Sequence, residues 1–304
     1  MGYAREHVRR GHSGCSSRTG RVVSLTLGAA VFCGCGPSFD IVAKERPAEV
    51  CDGVDNDGNG IIDDVDADHD GMCDCLRAGV LGYPGDRAMS QLQDLMHGRA
   101  VATARLAGQE LTPALLSELD VVIVQDVQDG EAAGTIGKEG IGVGIGRAYS
   151  AAEVQALQDW VVAGGGLMAL SGYTGNTGEV TNANRLLAPF QMSYGTEFVL
   201  PAGGSSRPVT HWESSHPLAN GVTQVGIDSG HSVSGGTLVA WEPTRGAYDV
   251  GRAEEWSRGH VFVWADDWIT YDSDWNIAQY QNRRLWLNSF KWLATAGYCQ
   301  VPIP

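Results

Sequence analysis

Between Cys75 and Cys299 the 304-residue chain contains no cysteine. Thiol nucleophiles and thiolate metal ligands are therefore excluded from most of its length. Basic charge is also scarce, with 21 Lys and Arg against 36 Asp and Glu for a net charge of −15. A surface so short of cations cannot neutralise phosphates, which excludes nucleic acid as a partner. The apolar run VVSLTLGAAVF, Val22 to Phe32, has eleven residues and is too short to cross a bilayer.

What the chain has instead is a concentration of acid. Residues 51–75, CDGVDNDGNGIIDDVDADHDGMCDC, hold nine Asp, no Lys or Arg, and three of the seven cysteines. Such a segment repels itself unless a cation neutralises it. Asp55, Asp57, Asn59, Gly60 and Asp63 fall at positions 1, 3, 5, 6 and 9 of a calcium loop, with the Ile61 carbonyl at 7 and Asp66 at 12. Ile62 is the apolar residue that can anchor the loop to a neighbour. A second register overlaps the first: Asp66, Asp68, Asp70, Gly71 and Asp74, with the Met72 carbonyl at position 7. Its position 12 is Arg77, which cannot ligate, so Asp66 is expected to close one loop and open the next. The competing reading is an acidic, solvated linker. The shared aspartate resembles the calcium repeats of thrombospondin type 3 domains. CDGVDNDGNGIIDD also resembles a short metal-binding motif of bacterial surface proteins, C-D-G-x-D-N-D-C-x-G-x-x-D-E, with Gly58 in place of Cys and Asp64 in place of Glu.

Arg5, Arg9, Arg10, Arg18 and Arg21 precede the Val22–Phe32 run, as in a signal peptide. Cys33-Gly34-Cys35 follows, and the whole resembles a bacterial lipoprotein signal. The resemblance implies cleavage of residues 1–34, lipidation of Cys35, which fits better than the alternative Cys33, and a lipid anchor in the cell envelope, at the outer membrane or cell surface. Losing those five arginines and Glu6 moves the net charge from −15 to −19. An exported chain sits in an oxidising compartment. Cys51, Cys73, Cys75 and Cys299 then remain. A Cys73–Cys75 bond is too strained, so Cys51 is expected to pair with one of these two and Cys299 with the other. A zinc site on Cys51, Cys73 and Cys75 is the alternative.

Residues 35–50 read as a linker, residues 76–296 as one large domain, and residues 297–304 as a tail. Within the domain, apolar strands alternate with amphipathic helices. Arg77–Tyr83 and Ala100–Leu106 read as strands, and Met89–Met96 as a helix. Thr112 and Pro113 open another helix, followed by the continuous apolar strand LDVVIVQDV. Ser150 and Glu153 form a capping box for SAAEVQALQDWVVA, stopped by Gly164–Gly166 before the strand LMALSGY. The alternation predicts an α/β fold with a mostly parallel sheet flanked by helices.

The strings LSELDVVIVQDV, YSAAEVQALQDWVVAGGGLMALSGY, NRLLAPFQMSYG, SHPLANGV, RGHVFVWADDWITYDSDW and NRRLWLNSFKWLA resemble, in order, the class I glutamine amidotransferase-like fold. The likeness is to its divergent trehalose-utilisation-like members, and it implies a flavodoxin-like architecture over residues 77–296. Active members carry a nucleophilic Cys on a strand-to-helix elbow, served by a His. Here the matching elbow is LMALSGYTGN, which has no Cys. Ser171 lacks the flanking glycine of a serine elbow, and a bond to nearby backbone is its expected role. His216, before Pro217, reads as structural, while His211, His231 and His260 lack metal-ligand spacing. The glycines at 137, 140, 142, 144 and 146 have no Walker ending and suggest a mobile loop or lid.

The segment WADDWITYDSDW follows the strand HVFVW, so its residues belong at that strand's carboxyl end, where open α/β sheets bind ligands. Asp266, Asp267, Trp268, Tyr271, Asp272 and Trp275 would grip a sugar by stacking and hydroxyl bonding; equally, they would cap and pack the core. Three functions follow: a non-catalytic surface lipoprotein that uses calcium as a structural cofactor and binds a glycan or an envelope protein; a hydrolase using Asp266, Asp267, Asp272 and Asp274; or a passive scaffold subunit of an envelope assembly.

Overall fold

The strongest local signals become the central elements. The computed structural model describes residues 46–82, 89–97, 103–106, 109–128, 147–172, 177–200, 206–243 and 248–304, with only the backbone at 97, 103–105 and 177. The expected leader (1–34), Cys35, most of the 35–50 linker, the glycine run at 137–146 and Tyr173 lie outside the described residues.

Among the described residues twelve strands form in chain order: β1 (Ala78–Gly82), β2 (Thr103–Arg105), β3 (Val121–Gln125), β4 (Gly166–Leu170), β5 (Ser193–Phe198), β6 (Arg207–Val209), β7 (His211–Trp212), β8 (Val225–Ile227), β9 (His231–Ser234), β10 (Thr237–Glu242), β11 (Tyr248–Trp256) and β12 (Gly259–Trp264). The helices are α1 (Ser90–His97), α2 (Pro113–Leu116), α3 (Ala151–Val162), α4 (Thr177–Leu187), α5 (Asp272–Trp275) and α6 (Asn282–Leu293), joined by short 3₁₀ turns. None of the helices among the described residues is long and apolar enough to cross a membrane.

Eight strands make one sheet in the order β2-β1-β3-β4-β12-β11-β10-β7. The first five run parallel and the last three antiparallel. The sheet is thus mostly parallel and flanked by helices, and its 2-1-3-4 start is the flavodoxin-like winding. Strands β5 and β9, and β6 and β8, pair separately. These pairs and the antiparallel edge were not resolved by the sequence pattern.

β3 and β4 are buried at every position, as parallel strands covered on both faces must be. The capping box on α3 forms as the sequence predicts: Glu153 N donates to Ser150 Oγ, and Ser150 N to the Glu153 carboxylate. The same carboxylate accepts from Leu111 N at 3.1 Å and from the Arg147 guanidinium at 2.8 Å. Burial works against its charge, but these partners outweigh it and hold Glu153 down to about 2. α6 buries Leu285, Trp286, Phe290 and Leu293, and Trp286 Nε1 donates to Ile269 O at 2.9 Å.

The acidic segment and the C-terminal tail pack on this domain within one compact unit, Glu45–Pro304. Ile62 bridges to Tyr298 in parallel register, through Ile62 N to Gly297 O at 2.8 Å and Cys299 N to Ile62 O at 3.0 Å. The backbone of Ile62 therefore does the anchoring, while its side chain stays exposed. Tyr298 Oη donates to Cys75 O and Asp120 Oδ2, both at 3.2 Å, and Arg77 grips the same Asp120 carboxylate. Disulfides join Cys51 to Cys75 and Cys73 to Cys299, 24 and 226 residues apart. With all four sulfurs bonded, the zinc alternative is overturned, because it needs thiolates.

Candidate functional site

The two acidic registers fold into loops of the same internal geometry. In the first, Asp55 Oδ1 accepts from Asn59 N at 3.0 Å and Oδ2 from Gly60 N at 2.9 Å. In the second, Asp66 Oδ1 accepts from Asp70 N and Oδ2 from Gly71 N, both at 3.1 Å. Position 1 thus caps the amides of positions 5 and 6 in each. The next bond repeats as well, from Ile61 N to Asn59 Oδ1 and from Met72 N to Asp70 Oδ1. Gly60 and Gly71 sit at φ +93° and +87°, a region that disfavours side chains.

The loops bring together two groups whose oxygens could share an ion: Glu49 with Asp55 and Asp57, and Asp66 with Asp68 and Asp70. The membership differs from the expected register. Asp63, assigned to position 9, is buried and turns its carboxylate to Asp52 N and Gly53 N. Glu49 joins instead, accepting from Asn56 N, Asp57 N and Asp63 N. Asp66 groups with Asp68 and Asp70. Asp74 accepts from Ala67 N at 2.9 Å. Met72 is buried. Arg283, at the start of α6, donates to Asp70 Oδ2 and also to the Asp70 carbonyl.

At the carboxyl edge of the sheet the chain places a closed polar network. Gln125 Nε2, ending β3, donates to Asp267 Oδ2 at 3.2 Å and to Thr270 Oγ1 at 3.1 Å. Tyr271 Oη donates to Asp267 Oδ2 at 2.6 Å. Asp266 accepts from Asp228 N, Ser229 N and Trp268 N. Ser171 Oγ donates to Ala265 O and accepts from His231 N at 3.1 Å. Glu179 accepts from Gly172 N at 2.5 Å. The buried Gln125 and Glu179 escaped the sequence reading, although a polar residue ending an all-apolar strand was a usable signal.

This arrangement decides the expected sugar platform residue by residue. Asp266, Asp267, Trp268 and Tyr271 are 1, 6, 7 and 3% exposed. Trp268 donates from Nε1 to Ser273 Oγ and packs edge-on against Tyr280. No ring face at Trp268 or Tyr271 is open for stacking. Asp272 caps α1, accepting from Ser90 Oγ at 2.6 Å and Gln91 N at 3.0 Å. Trp275 lines a cavity of about 370 Å³ with Gln91, Asp94, Tyr280, Asn282 and Arg283. His216 Nδ1 accepts from Leu218 N as a turn cap.

Two buried carboxyls titrate far from their usual range. Burial, then the neighbouring Asp267 charge, pushes Asp266 up to about 7. Burial pushes Asp274 up to about 8, against the bond from Asn282 Nδ2 at 2.8 Å. A raised carboxyl favours the fold at low pH, and that contribution is lost as pH rises from the unfolded value of 3.8 towards the folded one. Asp274→Asn removes the ionisation. Its melting temperature is expected to gain on the wild type by several degrees between pH 4 and pH 8.5, read by scanning calorimetry. A difference that stays constant with pH would contradict the assignment.

No protein-family model and no curated protein matches the chain. Solved structures share its fold. The N-terminal domain of mmIFT52 superposes with a TM-score of 0.54 at 13% identity, over 73% of this chain and 98% of that one. The cytoplasmic protein STM1381 from Salmonella typhimurium LT2 gives 0.52 at 14% identity, over 72% and 100%. A ThuA-like protein from Bacteroides uniformis gives 0.46 at 12%, over 72% and 91%. At these identities the first two superpositions establish the architecture, an α/β domain of flavodoxin-like winding.

Proposed function

We propose that this chain is an exported, lipid-anchored envelope protein in which two calcium-binding loops brace a non-catalytic, amidotransferase-like ligand-binding domain. The repeated geometry of the two acidic loops carries the reading. The donors they gather are carboxylates, a set suited to a hard cation, and Cys51, Cys73, Cys75 and Cys299 are all in disulfides. Asp55, Asp57 and Glu49 would hold one ion, and Asp66, Asp68 and Asp70 the other. The ions would neutralise a segment that is cross-linked to the C-terminal tail, fixing the domain relative to its anchor.

The absence of catalysis rests on the buried network. Ser171 is 1% exposed, and its hydroxyl is committed to backbone on both sides. Asp266, Asp267 and Asp274 are sealed from solvent, and Asp272 serves as a helix cap. A carboxylate hydrolase needs two acids flanking a bound substrate, and this arrangement favours packing and capping instead. Limited proteolysis tests the brace: chelation is expected to open cleavage within residues 51–75, and an unchanged digest would count against it. For the anchor, Cys35→Ser is expected to shift the expressed full chain from the detergent to the aqueous phase on phase partition. Retention in detergent would place the anchor elsewhere.

A further inference from the structure

We propose that the cavity between α1, α5 and α6 is a neutral-saccharide site whose arginine is withheld by the second acidic loop until a divalent cation binds there. The inference rests on the cation reading above and adds a ligand class and a means of control.

The cavity has the chemistry of sugar recognition. Trp275 is fixed by donation from its Nε1 to Ile269 O at 2.8 Å, so its ring is held in place on the wall. Tyr280 supplies a second aromatic wall, itself braced edge-on by Trp268. Gln91, Asp94, Asn282 and Arg283 provide amide, carboxylate and guanidinium groups in one space of about 370 Å³, enough for a sugar unit. Asp94 and Arg283 carry opposite charges, so the lining as a whole favours a neutral, hydroxyl-rich ligand over an anion.

An unmet hydrogen-bonding demand points the same way. Asn282 is 1% exposed, and its Nδ2 donates to Asp274 Oδ2 while its Oδ1 has no partner. Buried acceptors are rarely left unsatisfied. A slight outward turn of this amide would offer Oδ1 to a ligand hydroxyl.

Arg283 connects the cavity to the acidic loop. Its guanidinium donates to Asp70 Oδ2 and Asp70 O, and its side chain remains 47% exposed. Asp70 also belongs to the second oxygen cluster. A divalent cation there and the guanidinium compete for one carboxylate. Ion binding weakens the hold on Arg283 and leaves it to bond in the cavity it lines. The same coupling must run in reverse, so saccharide binding tightens the cation.

Calorimetry with calcium alone, on the full oxidised chain, comes first. Arg283→Gln is expected to bind calcium at one of two sites about tenfold more tightly than the wild type. The second arm is an array of neutral hexose oligosaccharides probed in calcium and in EDTA. Retention is expected in calcium, with a loss of at least tenfold in EDTA, in Trp275→Ala and in the milder Asp94→Asn. Equal retention in calcium and EDTA, no retention in either, or unchanged calcium affinity in Arg283→Gln would overturn the proposal. If calcium failed to bind the wild type at all, the cation reading itself would fall. Calcium binding without a saccharide effect would sink only this inference.

Discussion

Replacing Cys73 and Cys299 together by serine is expected to lower the melting temperature by about 10–20 °C. The bond closes a loop of 226 residues. In the chain-entropy model such a loop is worth about 5 kcal/mol, and for a domain of this size each kcal/mol moves the midpoint by about 2–4 °C. Removing the Cys51–Cys75 bond, which closes only 24 residues, should cost less, about 3 kcal/mol. The order is the sharper part of the expectation, because Cys73 and Cys299 are nine-tenths buried beside the domain and join it to the acidic segment. Scanning calorimetry of the two double-serine variants reads it directly. The reverse order would show that the tail is held by its hydrogen bonds and not by its sulfur.

Calcium removal is the second large effect. With calcium at 100 times the dissociation constant, each occupied loop contributes about 2.7 kcal/mol. Two occupied loops together would stabilise by about 5 kcal/mol, so EDTA is expected to lower the midpoint by on the order of 10 °C. Asp57→Asn and Asp68→Asn separate the loops, since each removes one carboxylate from a different oxygen cluster. Each is expected to abolish about half the calcium-dependent shift. Asp55 and Asp66 make poorer tests, because each holds two or more backbone amides with or without an ion, where Asp57 holds that of Asn59 alone. A calcium shift that survives both substitutions would move the sites elsewhere.

Much of this was legible in the sequence because it depends on local chemistry. The capping box at Ser150 and Glu153, the Thr112 cap and the buried strands β3 and β4 follow from short-range patterning. So does the spacing of the acidic loops. The exclusion of a Cys73–Cys75 bond left two pairings, and geometry chose Cys51–Cys75 with Cys73–Cys299. What spacing could not show was partnership across the chain. Glu49 enters the first loop although it precedes the register, and Asp63 leaves it because the amides of Asp52 and Gly53 reach its carboxylate first. Trp268 and Tyr271 looked like a stacking surface, since the sequence cannot reveal that the 3₁₀ turn after β12 folds inward and buries them. Arg283 carried no signal at all: its partner Asp70 lies 213 residues away. The flanking strand pairs were missed for a similar reason, being short and without a clear period of two.

In the function proposed above, the acidic segment is a cation-bound brace mounted on the α/β domain. Isothermal titration of calcium into the oxidised, metal-stripped chain tests it most directly. Saturable binding of two calcium ions is expected, one of them lost in Asp57→Asn and the other in Asp68→Asn. No heat of binding, or a stoichiometry that neither substitution changes, would contradict it.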